Sequence, residues 1–80
     1  MYKVYGTTGC GYCIEATRLL ERLDKDYEYT NVTTVTAEDR QTLQDVAGIE
    51  FRTVPQIFEI VGNELVYIGG YTELRNKLKD

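Results

Sequence analysis

Eighty residues leave room for a single domain, spanning 1–80, with a core near the lower limit for folding unaided. With 42% apolar and 28% charged residues the composition is ordinary for a globular chain, which argues against disorder, and no apolar stretch is long enough to span a bilayer. Nine Lys and Arg against 13 Asp and Glu give a net charge of −4 with no basic run, which argues against nucleic acid or an anionic membrane surface as partner.

Tyr2 to Tyr5 alternate and stop at Gly6, which predicts a short strand. No leader pattern precedes it, so the expected location is the compartment of synthesis, the cytoplasm. Gly6 to Gly11 form a polar, glycine-rich loop. From there a helix is predicted over about 11–25. Cys13, Ala16, Leu19, Leu20 and Leu23 share one face, and Glu15, Arg18, Glu21, Arg22 and Lys25 fill the other. Glu15–Arg18 and Glu21–Lys25 are at supportive helical spacings. Tyr27 to Val32 is rich in β-formers and predicts a second strand. Thr36 then reads as an N-cap with Asp39 three residues on, opening a helix that turns Leu43, Val46 and Ala47 inward and stops at Gly48. After a loop ending at Pro55, Gln56 to Val61 predicts a third strand. Gly62-Asn63 is a hairpin turn, and Glu64 to Ile68 is the return strand. Gly69-Gly70 breaks it, and Tyr71 to Asp80 predicts a closing helix with Leu74 and Leu78 inward and Lys77 and Lys79 at its negative end.

The order is β-α-β-α-β-β-α. Strands joined by a helix are expected to be parallel, and strands joined by a two-residue turn antiparallel. The expected fold is therefore α/β: a four-stranded mixed sheet with helices on both faces.

The chemistry lies at Cys10 and Cys13, the only cysteines, in a chain with no His. Two cysteines cannot make the disulfide framework of a small secreted domain, nor a closed zinc site. They are redox-active, incidental, or half of a site shared between chains. Their position favours the first. Cys10 sits at the start of the helix, where free N–H groups and the dipole stabilise an anion, so its thiol acidity is expected to rise. Cys13 lies one turn on, on the buried side, within reach of Cys10. Cys10 can attack a disulfide, and Cys13 can release the mixed disulfide formed. The plainer alternative, an inert bridge, gains little, because so short a loop hardly constrains the unfolded chain.

Cys10-Gly11-Tyr12-Cys13, Thr53-Val54-Pro55-Gln56-Ile57-Phe58 and Gly69-Gly70, in this order and spacing, resemble the glutaredoxins along essentially the whole chain. Lys3-Val4-Tyr5-Gly6, Ala16 to Leu20, and Gly69-Gly70-Tyr71 with Leu74-Arg75 are most similar to short phage-encoded glutaredoxins or thioredoxins. The resemblance implies a thioredoxin-like fold, with Cys10 and Cys13 catalytic and glutathione as reductant and partner. It also implies a cis Val54–Pro55 bond opposite Cys10, whereas the residues alone show only that Val54 is extended before a proline that starts a strand. Tyr12, Thr53, Val54 and Pro55 are then expected to meet glutathione, with Thr53 and Val54 offering backbone to an extended cysteinyl peptide. Gly70, Tyr71 and Thr72 would hold its γ-glutamyl end, with Glu73 as acidic neighbour, the N–H groups of Tyr71 and Thr72 suiting a carboxylate. The remaining tyrosines read as core and sheet residues.

Two positions depart from the family pattern. Gly11 replaces the usual Pro, and Thr7 the usual Lys. Arg40 or Arg52 could restore the missing charge, although each also reads as an ordinary exposed residue. The expected function is a glutathione-dependent dithiol–disulfide oxidoreductase acting on protein disulfides and glutathione mixed disulfides, monomeric and without a permanently bound cofactor or metal. The alternatives are a thioredoxin-like electron donor, for example to ribonucleotide reductase, recycled by a thioredoxin or glutathione reductase, and a dimer holding a [2Fe–2S] cluster with two glutathiones.

Overall fold

The computed structural model describes residues 1–79. Its elements are β1 (Tyr2–Gly6), α1 (Gly11–Arg22), β2 (Tyr27–Asn31), α2 (Ala37–Ala47), β3 (Gln56–Val61), β4 (Glu64–Gly69) and α3 (Tyr71–Leu78), with a 3-10 turn over Val32–Thr34. The sheet order is β2-β1-β3-β4. β1 and β2 run parallel, with Val4 opposite Tyr29 and Gly6 opposite Asn31. β1–β3 and β3–β4 are antiparallel. The order of elements and the mixed sheet are those expected, and this is the thioredoxin-like fold.

Alternation in β1 divides the core. Tyr2 and Val4 point to one face, where they meet Ala16, Leu19 and Leu20 of α1, Ile57 of β3 and Leu74 of α3. Tyr5 points to the other, where it meets Leu43 of α2 and Phe58 of β3. Phe58, Leu20, Ile57, Leu74 and Val4 are fully buried, each contributing roughly 1.5–3 kcal/mol of apolar transfer energy. The second cluster is thinner and is completed by half-buried Val32, Val35, Phe51 and Tyr67. Phe58 packs edge-on to Tyr5.

Several boundaries shift. α1 ends at Arg22, not near 25. Asp24 takes a positive φ of 55°, and the Lys25 N–H turns back to the Leu20 carbonyl at 2.8 Å, so the chain leaves the helical path. Leu23 becomes the C-cap and is 41% exposed rather than inward. Neither expected helix ion pair is among the pairs formed. Glu21 instead accepts a hydrogen bond from the Tyr27 hydroxyl at 3.0 Å. Val32 belongs to the 3-10 turn, which Asn31 opens by accepting the Thr33 N–H at 3.0 Å. In α2 the Thr36 cap forms as expected, its hydroxyl accepting the Asp39 N–H at 3.1 Å, and Gly48 ends the helix at φ 75°. Only Leu43 of its expected inward face is buried. Val46 is exposed and Ala47 half-buried, because α2 packs over the β4 side of the sheet rather than squarely on it. β4 extends one residue further, to Gly69. α3 ends at Leu78 with Lys79 as its C-cap, and Asp80, placed in that helix from sequence, lies outside the described residues.

Candidate active site

The sheet brings three segments to one end: the loop after β1, the turn before β3 and the corner between β4 and α3. Cys10 is not inside α1 but is its N-cap, in extended conformation. Its Sγ accepts the Cys13 backbone N–H at 3.1 Å. Cys10 and Cys13 are joined as a disulfide, with Cα atoms 5.2 Å apart. Cys10 is half-buried, whereas Cys13 is 2% exposed. Once the pair is reduced, the N–H that meets Cys10 Sγ would form a charge-assisted bond to a thiolate, and the helix dipole acts in the same sense. The accessible sulfur is thus the one whose anion is stabilised.

Opposite the pair, Val54–Pro55 is cis, as the resemblance implied, and the Val54 carbonyl oxygen lies 3.8 Å from Cys10 Sγ. The turn is held from beneath by Gln56, whose side chain is 3% exposed. Its Nε2 donates to the Thr53 carbonyl at 2.9 Å, and its Oε1 accepts from the Tyr67 hydroxyl at 2.6 Å. Burial, and then the Glu73 carboxylate, hold the Tyr67 hydroxyl above its ordinary pKa, so it remains a donor.

Apart from the two arginines weighed as a cation source, the residues named from sequence for glutathione fall on one groove. Tyr12, Thr53, Val54, Pro55, Gly70, Tyr71 and Thr72 line a depression of about 300 Å³, joined by Glu73. Tyr12 is 65% exposed and stacks on Tyr71, with centroids 6.0 Å apart and rings inclined by 26°. At the start of α3 the Glu73 Oε1 turns back to accept the Gly70 N–H at 2.9 Å. The corner therefore carries a carboxylate beside the N–H groups of Tyr71 and Thr72, which suits a ligand end bearing both an ammonium and a carboxylate.

A second, more apolar depression of about 270 Å³ lies on the other side of Thr53 and Val54, lined among others by Thr7, Arg40, Phe51 and Arg52. Arg40 Nη2 donates to the Phe51 carbonyl at 2.8 Å, which fixes the guanidinium at this groove. Arg52 pairs with Glu50 at 3.0 Å in the open. Of the two arginines weighed from sequence, Arg40 is the one anchored. Sequence reasoning did not single out the Gln56–Tyr67 pair, the Glu73 cap or Tyr29, whose hydroxyl donates to the Thr7 carbonyl at 3.2 Å. A polar residue following a strand-starting proline was the available signal for Gln56, and Glu73, named only as an acidic neighbour, stands at capping-box spacing from Gly70; nothing local marked Tyr67 or Tyr29.

Comparison with known proteins agrees with this geometry. The glutaredoxin family model matches residues 3–66. Glutaredoxin 1 of Escherichia coli (strain K12) is 37% identical over 84 residues, covering 96% of this chain and 91% of that protein. A glutaredoxin of Haemophilus influenzae is 34% identical, with 96% and 88% covered. Among solved structures, reduced E. coli glutaredoxin superposes with a TM-score of 0.72 at 38% identity, over 98% of this chain and 92% of that one. A buckwheat glutaredoxin–glutathione complex superposes with a TM-score of 0.70 at 28% identity, over 95% of this chain and 66% of that one.

Proposed function

The chain belongs to the glutaredoxin family and is a thiol–disulfide oxidoreductase, and from that premise we propose that glutathione is its reductant and that it reduces protein disulfides and glutathione mixed disulfides. The observation that carries the reading is the single groove, beside Cys10, that gathers all the backbone-rich positions expected to hold an extended cysteinyl tripeptide. Cys10 is the attacking thiolate and Cys13 the resolving thiol. The Thr53–Val54 backbone pairs with the cysteinyl unit. Gly70, Tyr71 and Thr72 receive the γ-glutamyl carboxylate, Glu73 its ammonium, and Arg40 supplies the cation that Thr7 lacks.

The protein acts as a monomer in the cytoplasm on this reading. Among the described residues no group of three or more His, Cys, Asp or Glu comes together, so a [2Fe–2S] cluster would require ligands from outside the chain. One observation favours a second reading, delivery of electrons to a protein such as ribonucleotide reductase with recycling by a reductase protein: Thr7 places no charge next to Cys10. The test is turnover with glutathione and glutathione reductase against turnover with thioredoxin reductase. Faster recycling by thioredoxin reductase would replace the first reading with the second, and a brown colour in freshly purified protein would point to the cluster.

A further inference from the structure

Gly6 ends β1 on the α1 face of the sheet, and its lack of a side chain lets two groups approach the same point. A Cβ built there would lie 2.6 Å from Cys13 Sγ and 2.9 Å from the Tyr29 hydroxyl oxygen. The buried resolving sulfur and a phenol from the edge strand therefore flank the same point. Cys13 is 2% exposed, so an anion formed on it is poorly solvated. Tyr29 is 42% exposed, and its hydroxyl donates to the Thr7 carbonyl while the disulfide is closed. Lys3 and Glu28 pair with each other across β1 and β2 at 3.6 Å. On α1, Glu15 and Arg18 are exposed.

We propose that Tyr29 is the hydrogen-bond partner of the resolving thiol. The inference rests on the reading that Cys13 resolves the mixed disulfide. In that step the proton on Cys13 Sγ leaves to water. The sulfur forms a bond to Cys10 Sγ, and the bond between Cys10 and the substrate sulfur breaks. The electron pair departs with the substrate sulfur, which takes up a proton from solvent. A buried sulfur acquiring negative charge needs a donor. The Tyr29 hydroxyl turns from Thr7 to supply one, and the lack of a side chain at Gly6 lets the two groups approach.

The test is Tyr29→Phe, which keeps the ring. Protein-disulfide reduction, which needs Cys13, is measured beside deglutathionylation, which does not. The ratio of the first to the second should fall about tenfold, the size expected for losing one charge-assisted hydrogen bond. In a Cys10→Ser background, thiolate absorbance should show Cys13 ionising at higher pH once Tyr29 is Phe. If both activities fall together and Cys13 ionises unchanged, the hydroxyl only pins the loop through Thr7 and the proposal is wrong. In the wild-type ring, the Tyr29 Cζ resonance in the Cys10→Ser protein should move as Cys13 ionises, and a resonance that stays still overturns the proposal without relying on folding of the variant. Cys13→Ser separates the two levels: retained protein-disulfide reduction would remove the resolving role itself, whereas its loss together with an unchanged Tyr29→Phe ratio would remove only the role of Tyr29.

Discussion

Cys10 caps α1 with its sulfur, and the Cys13 N–H that meets this sulfur at 3.1 Å is one of the donors a helix start leaves without a partner. Cys13 has no such position and is buried. Alkylation by iodoacetamide against pH should therefore report a Cys10 thiol ionising well below about 8.5, the value of a free thiol, and Cys13 well above Cys10. Cys10→Ser should abolish all thiol transfer. Cys13→Ser should remove protein-disulfide reduction but leave deglutathionylation, since a second glutathione can resolve the mixed disulfide. Equal loss from both would point to a structural pair. Thr7 and Arg40 line the same depression. A lysine at 7 would add a cation near one already present, so Thr7→Lys should lower the Michaelis constant for glutathione only a few-fold, more at low salt. Arg40→Leu should raise it about tenfold, as expected for removing a charge-assisted contact to carboxylate.

Among the elements, β3 links the core to the site. Ile57 and Phe58 are its buried anchors, and Gln56, one residue before them, ties the Thr53 turn to Tyr67 of β4. Gln56→Leu would keep the volume but leave the Thr53 carbonyl and the Tyr67 hydroxyl without this partner, at a cost of about 1–3 kcal/mol. Denaturant melts should show that loss, and the Michaelis constant for glutathione should rise with it. A stability change with unaltered glutathione kinetics would mean that Gln56 does not position the turn. At the junction of β1 and α1 space is limiting. Gly6→Ala places a methyl 2.6 Å from Cys13 Sγ and should destabilise by roughly 1–3 kcal/mol through overpacking.

At the scale of the molecule, tyrosines set the alkaline limit. Tyr2, Tyr27 and Tyr67 all have hydroxyls held above their ordinary pKa of 10.0, first by burial and then by a nearby carboxylate: Glu59, Glu21 (which also accepts the Tyr27 hydrogen bond) and Glu73. The unfolded chain ionises these groups first, so their contribution to stability is complete below about pH 10 and is lost as pH rises through the folded values. Chemical-denaturation midpoints should be flat near neutrality and fall above pH 10, together with the phenolate absorbance. A midpoint already falling by pH 9 would mean that other groups dominate. Much of this molecule was readable in the chain itself. The order of elements, the Thr36 and Gly48 caps, the hairpin at Gly62-Asn63 and the redox pair all follow from signals only a few residues long, which neighbouring residues suffice to express. That the positions proposed for glutathione share one groove was legible only through motif resemblance, since Thr53-Val54-Pro55 and Gly70-Tyr71-Thr72 do not touch along the chain. What tertiary structure alone decided depends on residues far apart meeting across the sheet. Val46 is exposed because α2 sits over β4, Arg40 reaches the groove because the Phe51 carbonyl holds it, and Tyr29 arrives beside Cys13 because β2 pairs in parallel with β1 and Gly6 has no side chain to hold them apart. No local pattern encodes such meetings, for they exist only once the sheet has closed.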